Sequence, residues 1–184
     1  MRKPDFENLK KVLSRKKPAR PTLFEFFLNQ KLHLALTGMK EPASPEMIDN
    51  YRWLIKSFKA AGYDYATVGG SKFGFPRKEV KHLSTISQNE GFMINDRKSF
   101  EAYKWPDPES FDYSPLDKIE KELPEGMRLI VCGPGGVLEN VTFLVGYDNM
   151  CLMLVDDPGF LNEIFDSVGS RLLKYYEICA PFKS

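Results

Sequence analysis

The sequence has few of the residues that build metal centres. It contains three cysteines, Cys132, Cys151 and Cys179, and two histidines, His33 and His82. The cysteines are odd in number, widely spaced and set in apolar runs, a pattern typical of buried free thiols in a reducing compartment. No CxxC or HxC pair is present. We therefore predict no metal site built within this chain.

Long apolar runs and an excess of one charge are also missing. No apolar stretch approaches the ~20 residues that a transmembrane helix needs, and the first residues, MRKPDFENLKK, are too polar for a signal peptide. We therefore predict a cytoplasmic protein that does not bind membranes. The formal net charge is +1, so no basic field attracts nucleic acid, and no nucleic-acid-binding motif is found.

What the sequence does contain fits an ordinary globular protein. A chain of 184 residues, 42% of them hydrophobic, is long enough for one domain with a real core, or at most for two small ones. We therefore treat residues 1–184 as a single domain. The many phenylalanines and tyrosines suit either a packed interior or a pocket for a flat ligand, and both alternatives stay open.

The first half of the chain predicts alternating helices and strands. A short amphipathic helix is expected over residues 5–16. The segment TLFEFFL at 22–28 is rich in β-formers and almost continuously apolar, which predicts a strand covered on both faces. Ser44 and Pro45 are typical of a helix start, and Gly62 is typical of a helix end. A second strand is expected over residues 63–68.

The second half continues the pattern after an irregular region at 75–113. Ser114 and Asp117 match a capping box that begins a short helix. A strand is expected at Leu129–Cys132, and Asp157 followed by Pro158 begins an amphipathic helix. Parallel strands connected by helices predict an α/β protein with right-handed crossovers. Because only three or four strands are found, we predict a partial (β/α)8, TIM-barrel-like fold with helices outside, about half of a barrel.

The main candidate binding residues follow the strand at Leu129–Cys132. The chain there turns through GPGG at 133–136, and Glu139, Asn140 and Asp148 follow among apolar residues. Polar residues just beyond a strand and a glycine-rich turn are how α/β proteins build ligand sites. The alternative is that Glu139 and Asn140 are polar residues of the first helical turn, and that Asp148 lies on the surface or caps a helix.

Two other residues are candidates for the same site. Glu25 interrupts the apolar segment 22–28, where a carboxylate must be paired or must face a cavity, so it is either a pocket residue or part of a salt bridge. Lys72 lies in GGSKFG at 69–74, just after the second strand. This glycine-rich exit lacks the spacing of a nucleotide phosphate loop.

Several segments together resemble a known family. They are PDFENLKKVL, RPTLFEFF, AAGYDYATV, EGFMINDRKSFEAYKWPDP, LPEGMRLIV and GGVLENVTFLVGYDNMCLMLVDDPGFLNEIFDSVG. In this order they resemble the N-terminal half of the barrel of the uroporphyrinogen decarboxylase superfamily, and most of all its methyltransferase-type branch. The resemblance implies a tetrapyrrole, corrinoid or methyl-donor ligand, with Glu25, Lys72, Glu139, Asn140 and Asp148 lining its site.

The resemblance also shows where the chain departs from the family's chemistry. The decarboxylase holds substrate carboxylates with an arginine-bearing loop, but the matching residues here, FLNQK at 27–31, contain no arginine. Its catalytic aspartate corresponds to GGSK at 69–72, which has no acid, and its tyrosine falls near Val141 and Thr142. Decarboxylation itself is therefore not expected, and no catalytic residue is assigned. The zinc ligands of the methyltransferases belong to the second half of the barrel, so zinc or a corrinoid is expected only with that half.

The alternative to a lyase or methyltransferase is a non-catalytic half-barrel that acts as a subunit or a binding module. An open half-barrel would expose edge strands and apolar surface. We therefore expect a homo-oligomer, or a partner chain that completes the barrel.

Overall fold

The computed structural model describes residues 2–44, 46–78 and 88–182. The helices are α1 (Glu7–Leu13), α2 (Gln30–Thr37), α3 (Met47–Ala61), α4 (Arg97–Ala102), α5 (Ser114–Glu120), α6 (Val137–Val145), α7 (Tyr147–Asp156) and α8 (Pro158–Cys179), with a 3-10 turn at Pro108–Ser110. The strands are β1 (Tyr65–Gly69) and β2 (Arg128–Cys132). In the described part of the chain, no helix is both long enough and apolar enough to cross a membrane.

The described residues form two compact units. The first unit draws on the described residues 2–44, 46–71, 112–132 and 181–182, and the second on 72–78, 88–111 and 133–180. The first contains α1, α2, α3 and α5 with both strands, and the second contains α4, α6, α7 and α8. The treatment of the chain as one domain stays a prediction.

The predicted half-barrel is wrong. Over the described ranges the chain forms only two strands, β1 and β2, which pair in parallel with Tyr65 opposite Arg128 and Gly69 opposite Cys132. Helices account for most of the remaining regular structure, so the chain mixes α and β elements without building a partial (β/α)8 barrel.

The missing strand at 22–28 explains much of this difference. Both backbone groups of Glu25 bond to one side chain, because the Tyr65 hydroxyl accepts the Glu25 N–H at 2.6 Å and donates to the Glu25 carbonyl at 2.6 Å. Those groups are therefore not used in a sheet ladder. The segment is also not covered on both faces, since Phe24 and Phe27 are 53% and 75% exposed.

The first unit is organised around α3, whose apolar face packs on β1. Tyr51, Ile55 and Phe58 recur at helical spacing and are buried. As predicted, the helix ends at Gly62, which adopts the left-handed conformation with φ +89°. A side chain other than glycine is strained at this angle, so Gly62 fixes the turn from α3 towards β1.

A buried carboxylate holds the N-terminal arm of this unit, by which we mean residues 2–20. Asp64 is only 3% exposed, and it pairs with the guanidinium groups of Arg2 and Arg20. It also accepts the backbone N–H of Asp5 at 2.9 Å. Since a charge buried without partners is very costly, these contacts make the position of the arm depend on Asp64.

The second unit is organised around α8, which packs on α6, α7 and the 3-10 turn. Asp157 caps the helix as predicted, because its side chain accepts the Phe160 N–H at 3.0 Å and Pro158 occupies the first helical position. The predicted capping box at Ser114 does not form. Tyr113 is the N-cap of α5, and it makes no side-chain capping hydrogen bond.

An aromatic cluster fills much of the second unit's interior. Phe73 stacks on Tyr175 with ring centroids 5.4 Å apart, and the guanidinium of Arg171 lies 4.7 Å from the centre of the Trp105 ring. Tyr103 is also buried here, and its hydroxyl donates to the carbonyl of Pro76 at 2.9 Å. Burial raises the pKa of Tyr103 to about 12.

Candidate ligand-binding site

The glycine turn at 133–136 is the site that the sequence favoured. It follows β2 and leads into α6, and Gly135 has φ +101°. A Cβ at Gly135 would lie 3.1 Å from Oε2 of Glu139 and 3.4 Å from Nδ2 of Asn140. Both predicted side chains therefore pack directly against the turn.

Glu139 belongs to the capping arrangement of α6. Its Oε2 accepts the backbone N–H of Gly136 at 2.6 Å, which satisfies one of the donors at the start of the helix. The remainder of the carboxylate is open to solvent. This is the first-turn role that the sequence left as the alternative, and it uses the carboxylate within the chain itself.

The Asn140 side chain is buried and bonds to the backbone of the turn. It is 1% exposed, and its Nδ2 donates to the carbonyls of Pro134 at 3.2 Å and Gly136 at 2.8 Å. Because both neighbours are acceptors, the nitrogen must face them, which fixes the orientation of the amide. Its Oδ1 is buried and has no hydrogen-bond partner among the described residues.

The other three candidate residues, Asp148, Lys72 and Glu25, are exposed. Asp148 is exposed in the first turn of α7, where its backbone N–H donates to Oδ1 of Asn89 at 2.9 Å. Lys72 is exposed just beyond the first unit. Glu25 lies in the first unit with its side chain exposed, and its Oε1 accepts the Phe26 N–H at 3.1 Å. The Glu25 carboxylate forms no ion pair with another described residue.

An aromatic surface lies around Glu25. We use this term for Phe24, Phe26 and Phe27, which are 53%, 43% and 75% exposed. Neighbouring rings contact one another, with centroids 5.2 Å apart for Phe24 and Phe26 and 6.3 Å apart for Phe26 and Phe27. Phe24 also contacts the buried ring of Tyr65, at 5.8 Å.

The aromatic surface is large for exposed apolar groups. Taking about 200 Å² for a phenylalanine side chain, the three rings present roughly 350 Å² to solvent. Apolar patches of about 300–600 Å² are the largest that most monomers show, and they are often functional. The Tyr65 hydroxyl holds the backbone between these rings, so the surface has a fixed anchor.

A lysine cleft begins a few residues further along the chain. We use this term for the cavity of about 350 Å³ lined by Gln30, Lys31, Leu34, Lys40 and Glu41. Glu41 accepts a hydrogen bond from Gln30, whereas neither lysine forms an ion pair with another described residue. Phe27 and Gln30 are three residues apart, so their Cα atoms are at most about 11 Å apart.

Sequence reasoning identified Glu25 but missed the rings on either side of it. The signal was present, because a charged residue in the middle of TLFEFFL, just after Pro18 and Pro21, conflicts with a strand buried on both faces. The lysine cleft was missed because α2, which supplies three of its residues, was not predicted.

Among the described residues, no set of three or more histidine, cysteine, aspartate or glutamate side chains is placed to hold a metal ion. In comparisons with known proteins, no family model, no curated protein and no solved structure matched the chain.

Proposed function

We propose that the chain binds a flat, carboxylate-bearing tetrapyrrole, with the ring on the aromatic surface and the acidic groups in the lysine cleft. The observation that carries this proposal is the row of three exposed phenylalanine rings, anchored by Tyr65. Aromatic side chains favour offset or edge contacts with other π systems, and a tetrapyrrole offers a broad π face.

The lysine cleft supports an acidic ligand. The ammonium groups of Lys31 and Lys40 attract carboxylates, and the cleft's volume of about 350 Å³ falls within the usual range for small-molecule sites. The resemblance to the uroporphyrinogen decarboxylase superfamily supports the same ligand class. We propose binding and not decarboxylation, because the family's arginine and catalytic aspartate have no counterpart at 27–31 or 69–72.

Fluorescence titration with three probes tests the ring and charge contacts separately. Uroporphyrin carries the ring with carboxylates, a tetracationic porphyrin carries the ring with the opposite charge, and hydroxocobalamin is a corrinoid. Uroporphyrin should bind most tightly, because only it satisfies both the aromatic surface and the lysine cleft. Preferred binding of hydroxocobalamin would replace the tetrapyrrole with a corrinoid, and no binding of any probe would contradict the proposal.

Two variants test which side chains contact the ligand. Phe27→Ser removes the most exposed ring and should weaken both porphyrins about tenfold, corresponding to roughly 1.4 kcal/mol. Lys31→Glu should weaken uroporphyrin and spare the tetracationic porphyrin. Leu173→Ser is the matched control, since Leu173 is 61% exposed on α8 and should leave binding unchanged. Equal affinities for Phe27→Ser and Leu173→Ser would place the ligand elsewhere.

A further inference from the structure

The near-neutral net charge conceals two strongly charged segments of opposite sign. Residues 8–24 contain six lysines and arginines and no acid, whereas residues 129–170 contain six aspartates and glutamates and no lysine or arginine. Each segment includes a helix with exposed apolar side chains, which makes both of them candidates for contact with another molecule.

The acidic segment exposes the outer face of α7. Met150 and Met153 are buried on one side of the helix. Elsewhere on the helix surface, Leu152, Leu154 and Val155 are 62%, 58% and 82% exposed. A helix that is apolar nearly all round is normally covered by other elements. We call these three residues, with Asp148 and Asp156 at the two ends of the helix, the α7 surface.

The α7 surface carries uncompensated negative charge. Both Asp148 and Asp156 are exposed, and neither forms an ion pair within the described ranges. No cation occurs in α7 itself. A partner that covers the apolar side chains must therefore bring cations to the two ends of the helix, because like charges brought together there would oppose binding.

The end of α1 has the complementary character. Val12 and Leu13 are 42% and 70% exposed. Four cations next to them in the sequence are also exposed and form no ion pair with a described residue; they are Lys11, Arg15, Lys16 and Lys17. Arg15 adopts a left-handed conformation with φ +57°, just after the C-cap of the helix at Ser14. We call this region the α1 end.

We propose that the α7 surface of one molecule docks on the α1 end of a second copy of the same chain. Each surface offers apolar side chains bordered by one charge sign, and the signs are opposite. Two α7 surfaces facing each other would place aspartates against aspartates, so the contact joins two different surfaces. Such a heterologous contact produces a closed ring or an open chain, according to the rotation between copies.

The contact is small, so the assembly should be reversible. Five apolar side chains and a few charge pairs fall at the lower end of specific interfaces. The average mass by light scattering should therefore rise with protein concentration from the micromolar to the millimolar range. It should fall when salt is added, because exposed charges are screened.

Reversing one charge on each surface tests whether the α7 surface and the α1 end contact each other. Asp156→Lys and Lys16→Glu should each lower the association constant at least tenfold at low salt, and the double variant should recover to within about threefold of the original, since it restores opposite signs in a heterologous contact. Leu173→Ser is again the matched control for an exposed apolar residue outside both surfaces. Circular dichroism checks that each variant is folded.

Three results would overturn the proposal. A constant monomer mass over the whole concentration range would exclude the self-contact. Association that responds to Asp156→Lys but not to Lys16→Glu would mean that something other than the α1 end covers the α7 surface. A double variant no better than either single variant would exclude direct charge pairing between the two surfaces.

Discussion

At the glycine turn, polar side chains next to the strand end bond to the turn itself, whereas at the aromatic surface three rings lie open to solvent. Glu139 accepts the Gly136 N–H and Asn140 donates to two turn carbonyls. Phe24 and Phe27, by contrast, are more than half exposed. The comparison teaches that polar residues that resemble a binding site can instead bond to their own turn. An apolar segment that resembles a buried strand can instead lie on the surface.

The largest effect is expected at Asn140. Asn140→Ala removes the donor from the carbonyls of Pro134 and Gly136 and leaves a small cavity, so the free energy of unfolding should fall by about 2–3 kcal/mol. Uroporphyrin affinity should stay unchanged, because the turn serves its own structure. Urea unfolding and the fluorescence titration measure the two quantities. A loss of affinity with little loss of stability would make the glycine turn the binding site instead.

Tyr65 should affect both stability and binding. Tyr65→Phe keeps the ring but removes the hydroxyl that bonds both backbone groups of Glu25. We expect a loss of about 1–2 kcal/mol in the free energy of unfolding, with weaker uroporphyrin binding because the aromatic surface loses its anchor. Hydrogen exchange at the Glu25 amide provides the direct check, and unchanged protection there would show that the hydroxyl is not needed to hold the segment.

Glu139 should have a smaller effect, limited to the helix start. Glu139→Ala removes the acceptor of the Gly136 N–H and should cost about 1 kcal/mol. Glu139→Gln retains an oxygen acceptor, so it should cost less, and it serves as the matched control. If Glu139→Gln lowered uroporphyrin affinity at full stability, the carboxylate would have a binding role that outweighs its capping role.

Phe27 should have the opposite pattern to Asn140. Because its ring is 75% exposed, Phe27→Ser should change the free energy of unfolding by less than about 0.5 kcal/mol, although it weakens porphyrin binding. Thermal unfolding without ligand tests this directly. A large destabilisation would mean that the ring contributes to the core.

The smallest effect is expected at alkaline pH, where one buried phenol of the second unit, Tyr103, changes the free energy of unfolding. Burial raises the pKa of Tyr103 from 10.0 to about 12, so the folded state keeps the phenol neutral where the unfolded state ionises. Stability from this group is complete below pH 10 and declines as the pH rises towards 12. Tyr103→Phe should flatten that decline in pH-dependent urea unfolding, and an unchanged slope would exclude Tyr103 as its source.

Local signals allowed several elements to be predicted from the sequence. Gly62 ends α3, and Asp157 and Pro158 begin α8. The strands predicted at 63–68 and 129–132 form at 65–69 and 128–132. Each of these depends on one residue's backbone preference or on a short hydrophobic pattern, and in these cases the rest of the fold agrees with that local preference.

The remaining elements depended on contacts that no local pattern contains. The segment 22–28 has strong β character, but the hydroxyl of Tyr65, forty residues away, takes both backbone groups of Glu25. Helix α6 entered only through the alternative role of Glu139 and Asn140 in a first helical turn. Helix α7 was not predicted, because its apolar residues include the exposed Leu152, Leu154 and Val155 as well as the buried Met150 and Met153, which obscures the helical period. The candidate binding residues were chosen for a barrel that the described part of the chain does not form.

The parallel pairing of β1 with β2 places Tyr65 opposite Arg128, two residues 63 positions apart in the sequence, with residues 72–111 of the second unit among those between them. Closing so long a loop costs conformational entropy before any ladder hydrogen bond is gained, which slows the formation of such pairs. The backbone hydrogen bonds of the long helix α8 join residues close in sequence, so this helix can form before such a distant pair of strands. In pulsed hydrogen exchange during refolding, the amides of α8 should therefore become protected before those of β1, and the sheet should set the pace at which the first unit folds.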